Sequence, residues 1–509
     1  MSAAEGPAPS DATGPEPSAT RPESCPTGPE SSATGPEPFV PDPEALPTAL
    51  AELAAHLPDG ALVTDPDVLE AHRGDRAPFC PSGTPAALVR ARSTDEVSLV
   101  LRTADRYRVP VVPQAARTGL AGGANAVDGC ILLSVERMDR ILDIDTVDQV
   151  AVVEAGVVNA DLSRAVAEHG LFYPPDPSSW EMSTLGGNAA TNAGGLCCVK
   201  YGVTGDFVRG LTVVLASGEV LRTGRRTAKG VAGYDLTHLF VGSEGTLGVI
   251  TEVTLALRPA AQAPLTAVGF FPAPAAACAA VADYMADGTR PSLLELMDRP
   301  TMDVVSAYRD PGFPPDAGAV LIAQSDRGEQ APADLKRFAD IAARHGGDAI
   351  VSEDPAEAEL LLAARRMVAV ATEQLGSYLA DDVCVPRRVL AELVDGVQDV
   401  AREHGVRITC VAHAGDGNLH PHVLFDPADP DEVARAHRAF GAVMDLGLAL
   451  GGTITGEHGV GVLKRDWLRK ELGPVGLRVH HDIKRALDPG GILNPGKVLA
   501  APGPAPSAG

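Results

Sequence analysis

Between residues 85 and 258 the chain alternates short apolar runs with clusters of turn-forming residues. The runs are VPVVP at 109–113, CILLSV at 130–135, QVAVVEAG at 149–156, LTVVLASGEVLRT at 211–223 and GVITEVTLAL at 248–257. Runs this short, rich in Val and Ile and bounded by Gly, Pro, Ser or Asp, predict β-strands. Ser217-Gly218, set between two such runs, predicts a hairpin turn. One helix interrupts them, with Asn159 as the cap of ADLSRAVAEH and Gly170 as its stop. After Pro259 the period lengthens: helices are predicted over 387–404 and 431–449, and strands over 318–324, 406–412 and 421–425. The pattern is that of an α+β protein with a domain boundary near 260–265. Residues beyond about 460, ending in LDPGGILNPGKVL, read as loop-rich and must dock on the folded body.

Composition adds limits. A chain of 509 residues exceeds the roughly 250–300 residues at which a single core stops growing, so two folded domains are expected. Residues 1–45 repeat a phrase of Pro, Gly, Ser, Ala and Glu (ATGPEPSAT, PTGPESSAT, ATGPEPFVP), too poor in apolar surface to offset ordering entropy. That stretch is expected to be a disordered tail, and 501–509 a frayed end. The formal charge of −25 repels polyanions, which argues against nucleic acid or an anionic membrane surface as partner. The eight cysteines contain no C-x-x-C pair, which argues against iron–sulfur clusters and a disulfide framework. No basic, apolar leader opens the chain, and Ala-rich 274–286 is too short to cross a bilayer, so a cytoplasmic protein without a membrane span is expected.

Three glycine-rich polar loops mark the first domain. PQAARTGLAGGAN at 113–125 follows a strand, PPDPSSWEMSTLGGNAATNAGG spans 174–195, and GYDLTHLFVGSEGTLGVIT spans 233–251. Glycines let backbone N–H groups approach a phosphate closely. Three such loops suggest an extended, multiply charged cofactor. G-x-G-x-x-G, the Walker lysine motif and the G-x-S-x-G elbow are all missing, which removes the main support for a nicotinamide dehydrogenase, a P-loop enzyme or an α/β-hydrolase.

In the second domain HAGDGNLHPH, residues 413–422, concentrates three histidines, while TGEHGVG places Glu457 beside His458. Gly415 and Gly417 exclude a helix, so His413 and His420 can converge only across a turn between strands. Two imidazoles and a carboxylate suit zinc or a similar ion; a surface turn that happens to hold histidines is the open alternative. Asp416 and Asn418 read as turn-formers, because Asx side chains satisfy local backbone groups.

Six motifs in order, RTGLAGG, PPDPSS…STLGGNAATNAGG…KYG, AGYDL…GSEGTLGVITEVTL, HAGDGNLHP, GTITGEHGVG and ILNPGK, resemble those of the FAD-linked 2-hydroxyacid dehydrogenases and oxidases of the vanillyl-alcohol-oxidase superfamily, over residues 60–499. The resemblance implies an FAD-binding domain of two α+β subdomains (46–259), a substrate and metal domain with a helix-covered antiparallel sheet (260–460), and a C-terminal segment (461–500) returning to the first domain. It implies that FAD lies on Pro113, Arg117, Thr118, Gly119, Leu120, Gly122 and Gly123. From the second loop it draws Pro175, Asp176, Ser178, Thr184, Gly186, Gly187, Asn188, Ala190, Asn192 and Gly195, and from the third Glu244, Gly248, Val249 and Ile250, with Asn494 from the last motif. The first loop has no histidine to carry a covalent link, so FAD is expected to be non-covalent.

The same resemblance assigns a divalent ion, expected to be zinc, to His413, His420 and Glu457, and the general base to His458. Arg365, placed by ungapped counting, is expected on the substrate carboxylate. Members acting on hydroxyglutarate carry Asn and Lys where this chain has His422 and Ala380, so a short or apolar D-2-hydroxy acid such as lactate or glycolate is expected, with His422 touching it. Electrons would pass to a quinone, an electron-transfer protein or a partner subunit, and a homodimer is compatible with the family. Two rivals remain: a metal-dependent hydrolase built on His413, His420 and Glu457, and a non-catalytic FAD-binding subunit of a larger oxidase.

Overall fold

The computed structural model describes residues 45–352 and 362–499; the tails expected over 1–45 and 501–509 lie, but for Ala45, outside the described residues. Alternating apolar positions pair as β-ladders in four sheets among the described residues. The first sheet runs in the order Leu62–Val63, Ala87–Arg90, Ile131–Ser134, Val111–Gln114, with its last three strands parallel. The second is antiparallel, ordered Ile141–Asp145, Val150–Glu154, Val249–Ala256, Val208–Val214, Val220–Gly224. Its last two strands are the hairpin expected at Ser217-Gly218, with Gly218 at φ +83° where a side chain would be strained. A two-stranded ribbon pairs Arg258–Pro259 with Leu171–Phe172.

The remaining strands form one antiparallel sheet of eight. Its order is Asp348–Ser352, Leu265–Phe271, Ala319–Ser325, Leu293–Asp298, Arg407–His413, Asn418–Phe425, Ser377–Ala380, and Val383–Cys384 also pairs with Asn418–Phe425. The amphipathic helices Pro274–Ala286, Ala331–Arg344, Leu390–His404 and Pro430–Ala449 pack their apolar positions with this sheet into one continuous core. The central strands Leu293–Asp298 and Asn418–Phe425 are buried along their whole length, so any polar side chain on them must find partners inside the protein. The fold is α+β.

Two local expectations are corrected. Val158, not Asn159, occupies the cap position of the helix Asn159–Ala167; the Asn159 amide instead donates to the carbonyl of Pro175. Residues after 460 are not loop-rich, because Arg465–Leu487 is a helix kinked at Gly473-Pro474. With charges on most faces and no fully buried residue, this helix lacks the apolar stripe by which helices are recognised.

Beyond that helix the chain meets the first sheet. Val111 donates its N–H to Ile492 and accepts from Asn494, both at 2.8 Å, so the segment extends the edge strand Val111–Gln114. Asp488 turns the chain into that position by accepting from the N–H groups of Ile492 and Leu493 at 3.1 and 2.9 Å, against the Lys484 ammonium. Lys484 also donates to the carbonyls of Thr246 and Leu493. Truncating one partner of such a buried pair leaves the other uncompensated. Asp488→Ala is therefore expected to destabilise the fold by about 3–5 kcal/mol and to raise amide exchange selectively over 488–498, measured by denaturant titration and hydrogen-exchange mass spectrometry.

Candidate active site

The histidine motif is a hairpin. Arg407–His413 and Asn418–Phe425 pair in register, with Val411 opposite His420 and His413 opposite Asn418. Gly417 has φ +89°, and a Cβ there would lie 2.1 Å from the carbonyl oxygen of Val385, so only glycine fits the turn. Asp416 Oδ1 accepts from the N–H of Asn418 and so acts within the turn. His420 and His422 are two residues apart on an extended strand and share a face.

The loop carrying Glu457 and His458 is held by Asp382. Its Oδ2 accepts from Thr455 Oγ1 at 2.6 Å and from the N–H groups of Glu457 and His458 at 3.0 and 2.7 Å. The buried Lys464 ammonium lies 3.6 Å away. Burial opposes charge on Asp382, but His458, Lys464 and His420 together hold its carboxyl well below the usual range.

These elements bring Glu457 Oε1 within 3.2 Å of Nε2 of both His413 and His420. The His420 ring stacks on that of His458 with centroids 5.0 Å apart. Asp382, His420, Glu457 and His458 each offer a ligand atom within 4.8 Å of the others, a group that contains the expected ligands His420 and Glu457 but not His413, which joins them only through Glu457 Oε1. Burial disfavours a charged His413, yet Glu295 and Glu457 on either side raise its pKa well above the ordinary value. The donor set of two imidazoles and a carboxylate thus attracts positive charge and fits a divalent cation. His458 is pushed down to about 4 by burial, with His420 and Lys464 adding to the effect against Asp382; its imidazole is neutral at pH 7. His422 is lowered further, to about 3, by burial and by His420 and Arg365.

His413, His420, His422, Glu457, His458 and Arg365 line one cavity of about 420 Å³ that continues along the glycine-rich loops. Among the expected FAD residues the cavity is lined by Pro113, Arg117, Thr118, Gly119, Leu120 and Gly123 from the first loop. The second loop supplies Ser178, Thr184, Gly186, Gly187, Asn188 and Ala190, and the third Glu244, Gly248, Val249 and Ile250. Side chains at Gly119, Gly123 and Gly187 would meet neighbours at 3.0–3.3 Å, so the backbone wall is close-packed as a phosphate cradle requires.

Six expected FAD residues are not among those lining the cavity. Gly122 packs on Cys80, the Pro175 carbonyl is used by Asn159, and Asp176 turns inward to accept from the N–H of Cys197. Asn192 occupies a left-handed cap and accepts from Gly205, and Gly195 packs directly on the Asp176 backbone. The Asn494 amide ties the loops together by donating to the carbonyls of Gly123 and Glu244. The Glu244 carboxylate is likewise occupied, accepting from Val460 and Gly461 at 2.7 and 2.9 Å. Sequence reasoning missed Glu295, Asp382, Lys464 and Tyr378. Only the adjacent acids in YLADDVCV, an otherwise apolar run, offered a signal.

Comparison with known proteins places this geometry in context. Residues 85–224 match the FAD binding domain family, and residues 260–498 match the family of FAD linked oxidases, C-terminal domain. Glycolate oxidase subunit GlcD of Bacillus subtilis is 42% identical over 421 residues, 82% of this chain and 89% of that protein. D-lactate dehydrogenase of Anaerostipes hadrus is 35% identical over 452 residues, 87% and 95% of the two chains. The fold matches 4-ethylphenol oxidase from Gulosibacter chungangensis with a TM-score of 0.75 at 20% identity, over 91% of this chain and 99% of that one. The chain belongs to the FAD-linked oxidase family of the vanillyl-alcohol-oxidase type and is an FAD-dependent oxidoreductase.

Proposed function

We propose that this flavoenzyme oxidises a short D-2-hydroxy acid, such as lactate or glycolate, to the 2-oxo acid. One observation carries the reading: His413 and His420 each bring Nε2 to 3.2 Å from Glu457 Oε1, in a cavity that also presents His458, Arg365 and the glycine-rich loops. The relatives named for glycolate oxidase and D-lactate dehydrogenase support the substrate class.

His413, His420 and Glu457 would hold a divalent ion, zinc in this proposal, which when bound acidifies the substrate hydroxyl. Arg365 has its Nε on Glu295 at 2.8 Å, and its remaining donors grip the substrate carboxylate. His458, neutral and fixed through its backbone by Asp382, accepts the hydroxyl proton. FAD, held by the glycine-rich loops, would supply the two-electron acceptor that this oxidation needs. The metal-dependent hydrolase gains nothing from the flavin loops, and the non-catalytic subunit leaves the histidine cluster without a role.

The substrate's distal end faces His422. That residue pairs in register with Ala380 across the ladder, and its ring packs on Tyr378 at 4.9 Å. A neutral imidazole and a methyl group offer no cation to a second carboxylate, which favours a short or apolar tail. No helix among the described residues is long and apolar enough to cross a membrane; the proposal places the enzyme in the cytoplasm, passing electrons to a quinone, an electron-transfer protein or a partner subunit.

Anaerobic addition of D-lactate or glycolate to the purified holoprotein is expected to bleach the flavin, and prior removal of the metal with a chelator to abolish the bleaching. A colour that persists with every 2-hydroxy acid tested would overturn the function. His458→Gln is expected to lower kcat by about 10²–10⁴-fold with flavin content unchanged, as loss of a general base does. Arg365→Lys keeps the charge but loses the planar fork, and should raise KM for the acid by roughly tenfold or more, as loss of a charge-assisted bidentate contact does, with kcat altered less. Steady-state kinetics on both variants decide these roles.

A further inference from the structure

Glu295 lies at the middle of the fully buried strand Leu293–Asp298 and is only 1% exposed, between Leu294 and Leu296 of the hydrophobic core. A carboxylate there is costly to desolvate. Its two oxygens have one hydrogen-bond partner each: Oε1 is 2.7 Å from Nδ1 of His413, and Oε2 is 2.8 Å from Nε of Arg365. Register explains the first contact, since Glu295 and His413 are direct cross-strand partners. The second brings in a residue 70 positions away in the chain.

We infer that Glu295 is a positioning residue that sets the separation between the ion-binding imidazole and the substrate-binding guanidinium; the inference rests on the roles proposed above for His413 and Arg365. A bond from Nδ1–H to Oε1 fixes the His413 tautomer and leaves the Nε2 lone pair toward Glu457 and His420, where an ion would sit. A bond from Nε to Oε2 fixes the guanidinium plane and leaves its outer edge for a carboxylate. A 2-hydroxy acid carries its hydroxyl and carboxylate on adjacent carbons. The two protein groups that receive them must therefore hold a constant spacing, and one carboxylate spanning both provides it. Neither contact alone would do so, because His413 sits at a strand end and Arg365 on a separate helical segment.

The test uses Glu295→Gln, which preserves shape but cannot accept from both partners, and Glu295→Asp, which keeps the charge but is one methylene too short to reach both. On the FAD-loaded protein, Zn²⁺ affinity is measured by competition with a chromogenic chelator, beside kcat and KM for D-lactate and glycolate. Glu295→Gln is expected to weaken Zn²⁺ by about 10–100-fold, the usual cost of losing a carboxylate behind a metal-binding histidine, and to raise KM while flavin content holds. In an Arg365→Lys background its effect on KM should shrink, because the two residues act as one unit. A merely structural role would lower the melting midpoint without moving Zn²⁺ affinity. Zn²⁺ affinity and KM both within twofold of wild type would overturn the inference. Wild-type protein that oxidises no 2-hydroxy acid would instead remove the proposed function, and the Zn²⁺ comparison would still decide the His413 contact. Should Glu295→Gln fail to fold, Glu295→Asp carries the same comparisons.

Discussion

Burying a carboxylate is the constraint around which this active site is organised. A fully desolvated acid is tolerated only when donors or cations surround it, and Asp382 shows how that requirement builds geometry. One of its oxygens collects Thr455 Oγ1 and two consecutive backbone N–H groups, with Lys464 supplying nearby charge. Those N–H groups belong to Glu457 and His458. The compensation that makes Asp382 bearable therefore fastens the backbone of the two residues whose side chains are proposed to bind the ion and move the proton. Glu244 repeats the device on the next residues of that loop. Its carboxylate takes the N–H groups of Val460 and Gly461, while its own carbonyl receives Asn494. The substrate-domain loop, the third flavin loop and the C-terminal segment thus meet at one buried acid.

That acid also shows how segments from separate sheets reach one site. Glu244 is held at φ +50°, an uncommon conformation for a side chain of its size. Burial pushes its carboxyl up to about 7 despite the two N–H donors. Strain and desolvation at one residue are sustained because both neighbouring segments depend on it. The third flavin loop and the loop carrying Glu457 and His458 are thereby tied to each other through one residue.

How much of this could be read from the chain follows from distance along it. The strands, the hairpin at Ser217-Gly218 and the convergence of His413 with His420 are local matters of period and turn chemistry, and each could be stated before the fold was known. Glu295 and Asp382 could not. Glu295 meets His413 only because strands 118 residues apart in sequence become neighbours, and no period in either strand encodes that register. The six residues displaced from the cavity wall teach the converse. Asp176, Asn192 and Asn494 are small polar residues in the right loops, but their side chains satisfy buried backbone groups behind the cofactor cradle. Glycine-rich loops need such internal fastening precisely where they lack side chains of their own.

The proposed substrate choice rests on the same sheet. The strand Asn418–Phe425 carries His420, the proposed ion ligand, and, two residues on, His422; its neighbour sets Ala380 opposite His422 and Tyr378 against its ring. Because the pleat alternates, the ion site and the tail pocket face the same side and are about 6–7 Å apart along the strand. A one-residue slip would send both to the opposite face, so selectivity for the tail cannot be adjusted through the backbone without destroying the ion site. It can be adjusted only by exchanging side chains at positions such as 380 and 422, and there this chain places a methyl group and an imidazole that stays uncharged at neutral pH.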